Sequence, residues 1–315
     1  MTDEFLYSIW IFFEANLSKR TRKNYFQVVK NYVNVTNTSP ENLTNEAALK
    51  YFNYLTNKVK NNELSYNTAA MRLSVMRKLC DYIKYKKDLE KELYINYFKE
   101  YAIPEKDKTL KEDDIPTDKE LDNLLLLASE VNDSLFYIVL SLVIKCGLRT
   151  SEICQLTNKS IYLDKDNTIC LKIDKQKKVG RLIKLPKDVD FLFKNYLQIH
   201  NIKQYSELQE DNVQYIFMNK RNTNLKVRDA ERLLKKYIRK GVDDKRISKE
   251  YTLQDIRHSA IKYMLLGGAG QDSVANYCGI TERWMTRYNR VVNESSSLLA
   301  ADLSVITIKP SSFLP

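Results

Sequence analysis

Four short stretches in the second half of the chain combine residue types that can manage an anion. In TLQDIRHSA (252–260) and just beyond it, Leu253, Arg257, Ala260 and Met264 recur at i, i+4, i+7 and i+11, one stripe of a helix. The stripe is apolar apart from Arg257. Burying a guanidinium without a partner costs several kcal/mol, so this arginine calls for an anion, either a carboxylate or the phosphate of a ligand. His258 lies about 100° further round the helix and reads as a structural neighbour. In CGLRTSEICQLT (146–157), Arg149 follows a helix-ending Gly147 and precedes Glu152 by three residues, where a surface Arg–Glu pair is the plainer account. KIDKQKKVGRLIKLP (172–186) sets Lys175, Lys177, Lys178 and Arg181 around a hairpin tip, where solvated side chains are the ordinary alternative. ERWMTRYNR (282–290) places Tyr288 close to Arg283, Arg287 and Arg290. Such tyrosines usually pack, but a positive surround also stabilises a phenolate.

These side chains need elements to hold them. The first glycine in the sequence is Gly147, and one proline precedes residue 100. Hairpins need glycine at positive φ, so this long glycine-free stretch is natural for helices. Amphipathic segments over roughly 3–16, 19–34, 44–60, 67–85 and 87–100 define a small helical domain, 1–102, with Ser39 and Pro40 in the N-cap and first helical positions. The run IPEKDKTLKEDDIPTDKE (103–120) holds two prolines and many charges, which places a linker at 103–116 and a second domain at 117–315. Thr117 and Glu120 have capping-box spacing and start a helix at DNLLLLA. SLFYIVLSLVIKC is almost wholly apolar and central to the second core, with Gly147 ending it. After residue 157, three short strands are expected, with turns at 164–167 and 175–180. Helices resume at 187–199, 228–240, 252–266, 271–278 and 281–289, followed by a C-terminal segment from 293. The fold class is mainly α: an all-helical domain joined to a mostly helical one that carries a small three-stranded antiparallel sheet.

Lysine and arginine number 51 against 40 acidic residues, a net charge of +11 that points to a polyanion, most often nucleic acid. The cysteines are Cys80, Cys146, Cys154, Cys170 and Cys278; no two form a C-x-x-C pair and only two histidines exist, so no zinc site of ordinary spacing is expected. Scattered thiols of this kind read as reduced and buried, in a cytoplasmic protein. FLYSIWIFF near the start is flanked by Asp3, Glu4 and Glu14; it lacks the basic start of a signal peptide and the length of a membrane span, and reads as a core helix.

Taken together in order, G-L-R-x-x-E after an apolar helix, a hairpin lysine ahead of R-L-I-x-L-P, an x-x-R-H-S helix and a late tyrosine resemble the tyrosine recombinases, which include phage integrases and the Xer enzymes. The resemblance spans the whole chain, since the family also has an N-terminal helical core-binding domain on a charged linker, the two domains clamping DNA. It implies Arg149 and Arg257 as the paired catalytic arginines, Glu152 as the support of the first, and Lys175 (or Lys177 in another register) as the hairpin lysine. Tyr288 is implied as nucleophile, ahead of Tyr277, which precedes the family's glycine at Gly279. Two departures stand out: the family's H-x-x-R box here begins with Gln254, and Ile280 follows Gly279 where the family has histidine or tryptophan. Trp284 is a candidate for that vacant role, and the interval from Gly279 to Tyr288 is one residue short.

The implied chemistry suits these residue types. Two guanidinia bind the non-bridging oxygens of one phosphate, a phenol attacks phosphorus, and a lysine protonates the departing oxygen. It asks for no cofactor and no metal. The implied partners are double-stranded DNA and further copies of the chain, docked through 293–306, which locates the protein in the cytoplasm at the nucleoid. Lys19, Arg20, Arg22 and Lys23, with Arg72, Arg77 and Lys78, suit phosphate contacts, as do Lys177, Lys178 and Arg181 at the hairpin. Five retained residues favour a strand-cleaving enzyme; the two departures favour a DNA-binding regulator, such as a repressor, on the same fold.

Overall fold

The computed structural model describes residues 3–103, 109–175, 178–202 and 213–298, which group into two compact units, Met1–Lys108 and Thr109–Pro315. The first unit holds α1 (Asp3–Asn16), α2 (Lys19–Thr36), α3 (Asn45–Lys60) and α4 (Tyr66–Leu89). Each of the last three starts where a hydroxyl can accept a free backbone N–H of the first turn: Ser18 from Thr21, Thr44 from Ala47, Ser65 from Thr68. Their apolar faces meet in a core of Val29, Tyr32, Tyr51, Leu55, Leu73, Leu79 and Phe98. Tyr32 packs edge-on against Tyr51 with ring centroids 5.3 Å apart.

The expected helix at 87–100 is not formed. α4 runs on to Leu89, Lys91 turns at φ 59, and only Tyr97–Glu100 closes a 3-10 turn. Tyr94 and Phe98 are buried, and the Tyr94 hydroxyl donates to the Pro40 carbonyl at 2.6 Å, but Leu93 is 90% exposed. The apolar residues of this stretch therefore do not share one helix face. Ser39 and Pro40 open the 3-10 turn Pro40–Asn42, and Thr44 is the cap of α3.

The second unit contains α5 (Asp118–Glu130), α6 (Ser134–Cys146), α7 (Thr150–Ile153), β1 (Ile161–Leu163), β2 (Ile169–Lys175), β3 (Lys178–Lys184), α8 (Lys187–Ile199), α9 (Val227–Asp243), α10 (Leu253–Leu266), α11 (Gln271–Cys278), α12 (Glu282–Met285) and α13 (Asn289–Leu298). Thr117 and Glu120 form the reciprocal capping box that starts α5. α6 is buried along nearly its whole length, and Gly147 ends it in the left-handed conformation at φ 57. The antiparallel sheet has the order β1-β2-β3. Ile169, Leu171 and Ile173 alternate inward on β2; Ile183 pairs with Leu171 and Arg181 with Ile173, so period two puts Arg181 on the core-facing side of β3. Gly180 lies inside β3 rather than in the turn, and a Cβ there would stand 3.0 Å from the Ile173 carbonyl oxygen.

The expected helix at 281–289 is broken into α12, a 3-10 turn Thr286–Tyr288 and the start of α13. The segment from 293 continues α13 to Leu298 without a break, and 299–306 lie outside the described residues. A satellite core of Leu110, Ile115, Ile261, Val274, Cys278, Met285, Tyr288 and Val291 fills the space among α10 to α13. Among the described residues no helix is long and apolar enough to cross a membrane.

Candidate active site

Helix α10 sits at the centre of the second unit, and its stripe behaves as its sequence demands: Leu253, Arg257 and Ala260 are each 1% exposed. Thr252 and Asp255 fix its start through a capping box, which sets the rotation of Arg257 and His258. Arg257 has the largest fully buried side chain described. Its Nη2 donates to the Cys278 carbonyl at 2.6 Å, while Nε and Nη1 are buried with no acceptor among the described residues. No described carboxylate is hydrogen-bonded to it. Burial, with the nearby charge of Arg149, lowers its pKa to about 10.

Arg149 is presented by the N-terminus of α7, immediately after the α6 cap. Its Nη1 donates to Glu152 Oε1 at 2.9 Å and its Nη2 to the Gly279 carbonyl at 2.6 Å. Glu152 supports Arg149 as expected of its position, but it is shared. Arg181 grips the same carboxylate from β3 through Nη1 and Nη2, at 2.9 and 2.8 Å, and donates Nε to the Tyr277 carbonyl at 2.9 Å. Burial raises the carboxyl, yet the Arg181 bond, the Arg149 N–H and both positive charges outweigh it and hold Glu152 below its ordinary range. Gly279, at φ +64, makes this junction passable: a Cβ there would lie 2.5 Å from Arg181 Nη1.

Tyr288 belongs to the satellite core and is 2% exposed. Its hydroxyl oxygen is 2.6 Å from His258 Nδ1. Burial raises the phenol pKa against the pull of Arg257 and Arg287, so it rests protonated. The other nitrogen of His258, Nε2, is 3.2 Å from Gln254 Nε2, one turn earlier on α10. Burial, helped by the charge of Arg287, lowers the His258 ring to about 4 and keeps it neutral.

These groups line one pocket of about 270 Å³: Arg149, Arg257 and Arg287 with Gln254, His258 and Tyr288, beside Thr281, Ile280 and Trp284. Its described wall has three guanidinia and no carboxylate, a lining whose chemistry suits an oxyanion. Among the described residues no group of His, Cys, Asp and Glu is placed to hold a metal ion.

The site thus gathers Arg149, Gln254, Arg257, Tyr288 and Trp284, with Glu152 behind Arg149. Trp284 is 51% exposed, and the Arg287 guanidinium lies 4.8 Å from its ring centre. Lys175 is placed by its backbone at the end of β2, paired with Lys178 of β3; the side chains of both, and all of Lys177, lie outside the described residues. Tyr277 is turned elsewhere, its hydroxyl donating to the Lys184 carbonyl at 3.2 Å.

Several expectations are corrected. His258, read as a structural neighbour of Arg257, points about 100° away from it and sets its Nδ1 2.6 Å from the Tyr288 oxygen. Arg181 is not a free hairpin cation, since the strand alternation sends it inward to Glu152. In the first unit Arg77 is spent on the carbonyls of Phe98 and Tyr101, Arg22 pairs with Glu14 and lies 4.6 Å from the Trp10 ring centre, and Arg72 donates to Asn31 at 3.2 Å. Lys19, Arg20, Lys23 and Lys78 are exposed. Arg287 was legible only as one of several arginines near the tyrosine, with nothing local to single it out.

A sequence model described as the phage integrase family matches residues 117–294, and another, the N-terminal SAM-like domain of phage integrases, matches 11–88. The tyrosine recombinase XerC of Natranaerobius thermophilus is 23% identical over 288 residues, 90% of this chain and 91% of that protein. The solved integrase of transposon Tn1549, in complex with circular intermediate DNA, superposes with a TM-score of 0.67 at 17% identity, covering 95% of this chain and 100% of that one. A lambda integrase dimer bound to a core site gives 0.64 at 14% identity, covering 97% and 98%.

Proposed function

Because the chain belongs to the phage integrase family, the tyrosine recombinases, we propose that it cuts and rejoins duplex DNA at a specific site through a covalent 3′-phosphotyrosine on Tyr288. The observation that carries this is the pocket itself: Tyr288 shares it with three arginines and no carboxylate, and Arg257 keeps two buried nitrogens, Nε and Nη1, without an acceptor among the described residues. A phosphodiester supplies what is missing. Its non-bridging oxygens take the donors of Arg149 and Arg257, which stabilise the added negative charge of the pentacovalent transition state. The Tyr288 oxygen bonds to phosphorus as the bond from phosphorus to the 5′ oxygen breaks. The phenolic proton leaves to a base, and the 5′ oxygen takes one proton from Lys175, or from Lys177 in the other register. Rejoining reverses each transfer, so nothing is consumed.

The solved Tn1549 and lambda integrases carry DNA, and lambda integrase is recorded as a dimer and as a tetramer on a Holliday junction. On that likeness we assign phosphate contacts to Lys19, Arg20, Lys23 and Lys78 and self-association on DNA to the segment 293–306, a head-to-tail contact of the kind that closes into rings. Gln254 favours a second reading, a regulator that binds DNA without cutting it, because a carboxamide cannot exchange a proton near neutral pH. One experiment separates them. DNA bound in cells is mapped, a nicked suicide duplex of the recovered site is incubated with the protein, and covalent adduct is sought on denaturing gels. An adduct lost in Tyr288→Phe supports cleavage; tight binding without adduct establishes the regulator.

A further inference from the structure

Gln254 occupies the position where an acid–base group is expected, yet the phenol of Tyr288 is not without a partner. We propose that His258 takes the proton of Tyr288 during strand cleavage, and that Gln254 decides when it can by choosing which ring nitrogen is bare. This rests on the cleavage reading above.

The ring is held at both ends, Nδ1 at 2.6 Å from the Tyr288 oxygen and Nε2 at 3.2 Å from Gln254 Nε2. A neutral imidazole carries one N–H, so the two contacts are coupled. With the amide nitrogen of Gln254 facing Nε2, that nitrogen must accept. Nδ1 then bears the hydrogen and donates to the phenol oxygen, and the tyrosine is idle. With the carboxamide turned, its oxygen accepts from Nε2–H, Nδ1 is bare, and the phenol donates to it. Only the second state can remove the proton.

Occupancy of the pocket selects that state. Gln254 lines the same cavity as Arg149 and Arg257. A bound phosphate oxygen is an acceptor for the amide N–H₂, which draws the nitrogen off the ring and leaves the amide oxygen for Nε2–H. The anion also acts on the ring's basicity. His258 faces the positive charges of Arg287 on the 3-10 turn and Arg257 on its own helix, opposed by Asp255, and burial holds it near 4 in the empty pocket. A phosphodiester between the arginines offsets those charges and raises the ring, while the same arginines and the forming bond to phosphorus acidify the phenol. In the step, the bond from Tyr288 oxygen to phosphorus forms, the bond to the 5′ oxygen breaks, and the phenolic proton passes to Nδ1 to give imidazolium. That proton returns to Tyr288 on rejoining.

The test is single-turnover adduct formation on the nicked duplex by the full chain. His258→Gln is expected to bind the duplex as tightly as the parent but to form adduct about 100-fold or more slowly. Replacing Tyr288 by a difluorotyrosine, whose phenol is more acidic, is expected to restore most of that rate in His258→Gln and little in the parent. Since His200 and His258 are the only histidines, ring ¹⁵N spectra are also expected to show the His258 hydrogen moving from Nδ1 to Nε2 when the duplex binds Tyr288→Phe protein. A His258→Gln rate within about threefold of the parent overturns the proposal, as does a slow rate that the fluorinated residue leaves unchanged. If the parent itself yields no adduct on a duplex it binds tightly, the cleavage reading has failed and this inference falls with it.

Discussion

Replacing Gly279 by alanine tests the junction where Arg149 and Arg181 are tied to Glu152. Two effects add. The residue stands at φ +64, which costs an L side chain about 1–2 kcal/mol. The new Cβ would also lie 2.5 Å from Arg181 Nη1 and 2.7 Å from its Cζ, so the guanidinium must leave its bidentate grip on Glu152. Breaking a buried ion pair costs about 3–5 kcal/mol, and because Glu152 keeps Arg149 we take the lower end or slightly less, about 2–3. The expected loss is about 3–5 kcal/mol in all. Gly268 supplies the internal control: it stands at φ +86 with nothing within 4 Å of its Cβ position, so Gly268→Ala should lose only the backbone contribution of about 1–2 kcal/mol. Urea titration of both variants by far-ultraviolet circular dichroism reads the difference. Gly279→Ala should also slow adduct formation, since the Gly279 carbonyl holds Arg149. If the two variants fall within about 0.5 kcal/mol of each other, the tie between Gly279 and the Arg181–Glu152 pair is not what the geometry says.

Three further outcomes follow from the same features. Arg257→Met removes a buried cation with two unused donor nitrogens, so stability should hold or rise by about 1–3 kcal/mol while adduct formation is lost; a clear destabilisation in urea would refute a side chain held for a ligand. Folded His258 sits near 4 against 6.5, so as pH falls the unfolded chain takes up the proton first: stability is full above about 6.5, declines toward 4, and levels off below, by at most about 3 kcal/mol. His258→Gln should flatten that decline in melting curves, leaving the parts owed to His200, which burial also lowers, and to carboxylates such as Glu152. Lys23→Gln and Lys78→Gln should each reduce the log–log salt slope of duplex binding by about 0.9, whereas Arg77→Gln, which unties Phe98 and Tyr101, should lower the melting temperature with the slope unchanged.

Local signals carried much of the molecule. A threonine three residues before a glutamate, a glycine behind an apolar run and a proline before 187–199 each act within one turn, so Thr117, Gly147 and Pro186 stand at the element ends their types require. Arg257 was readable because an ionised group on an apolar stripe is a local contradiction. What failed depends on distant partners. Residues 87–100 have helical spacing, yet the chain turns at Lys91 and leaves Leu93 90% exposed while Tyr94 and Phe98 are buried. Arg181 declares its role only once strand register is known, and the contact of His258 with Tyr288 joins residues thirty apart in sequence. The departure at Gln254 was visible, but not that the histidine on the next turn of the same helix is aimed at Tyr288.

The satellite core gives Tyr288 an unusual anchor. The Leu110 N–H donates to the Arg287 carbonyl at 3.0 Å, one peptide before Tyr288, and Leu110 and Ile115 pack in the same cluster as that tyrosine. The start of the second unit is therefore fastened onto the residue beside Tyr288. In mechanical terms this is a short lever: within this unit, a shift of residue 110 reaches the Tyr288 turn through one hydrogen bond. The start of the described second unit and the Tyr288 turn are held in register by that single bond.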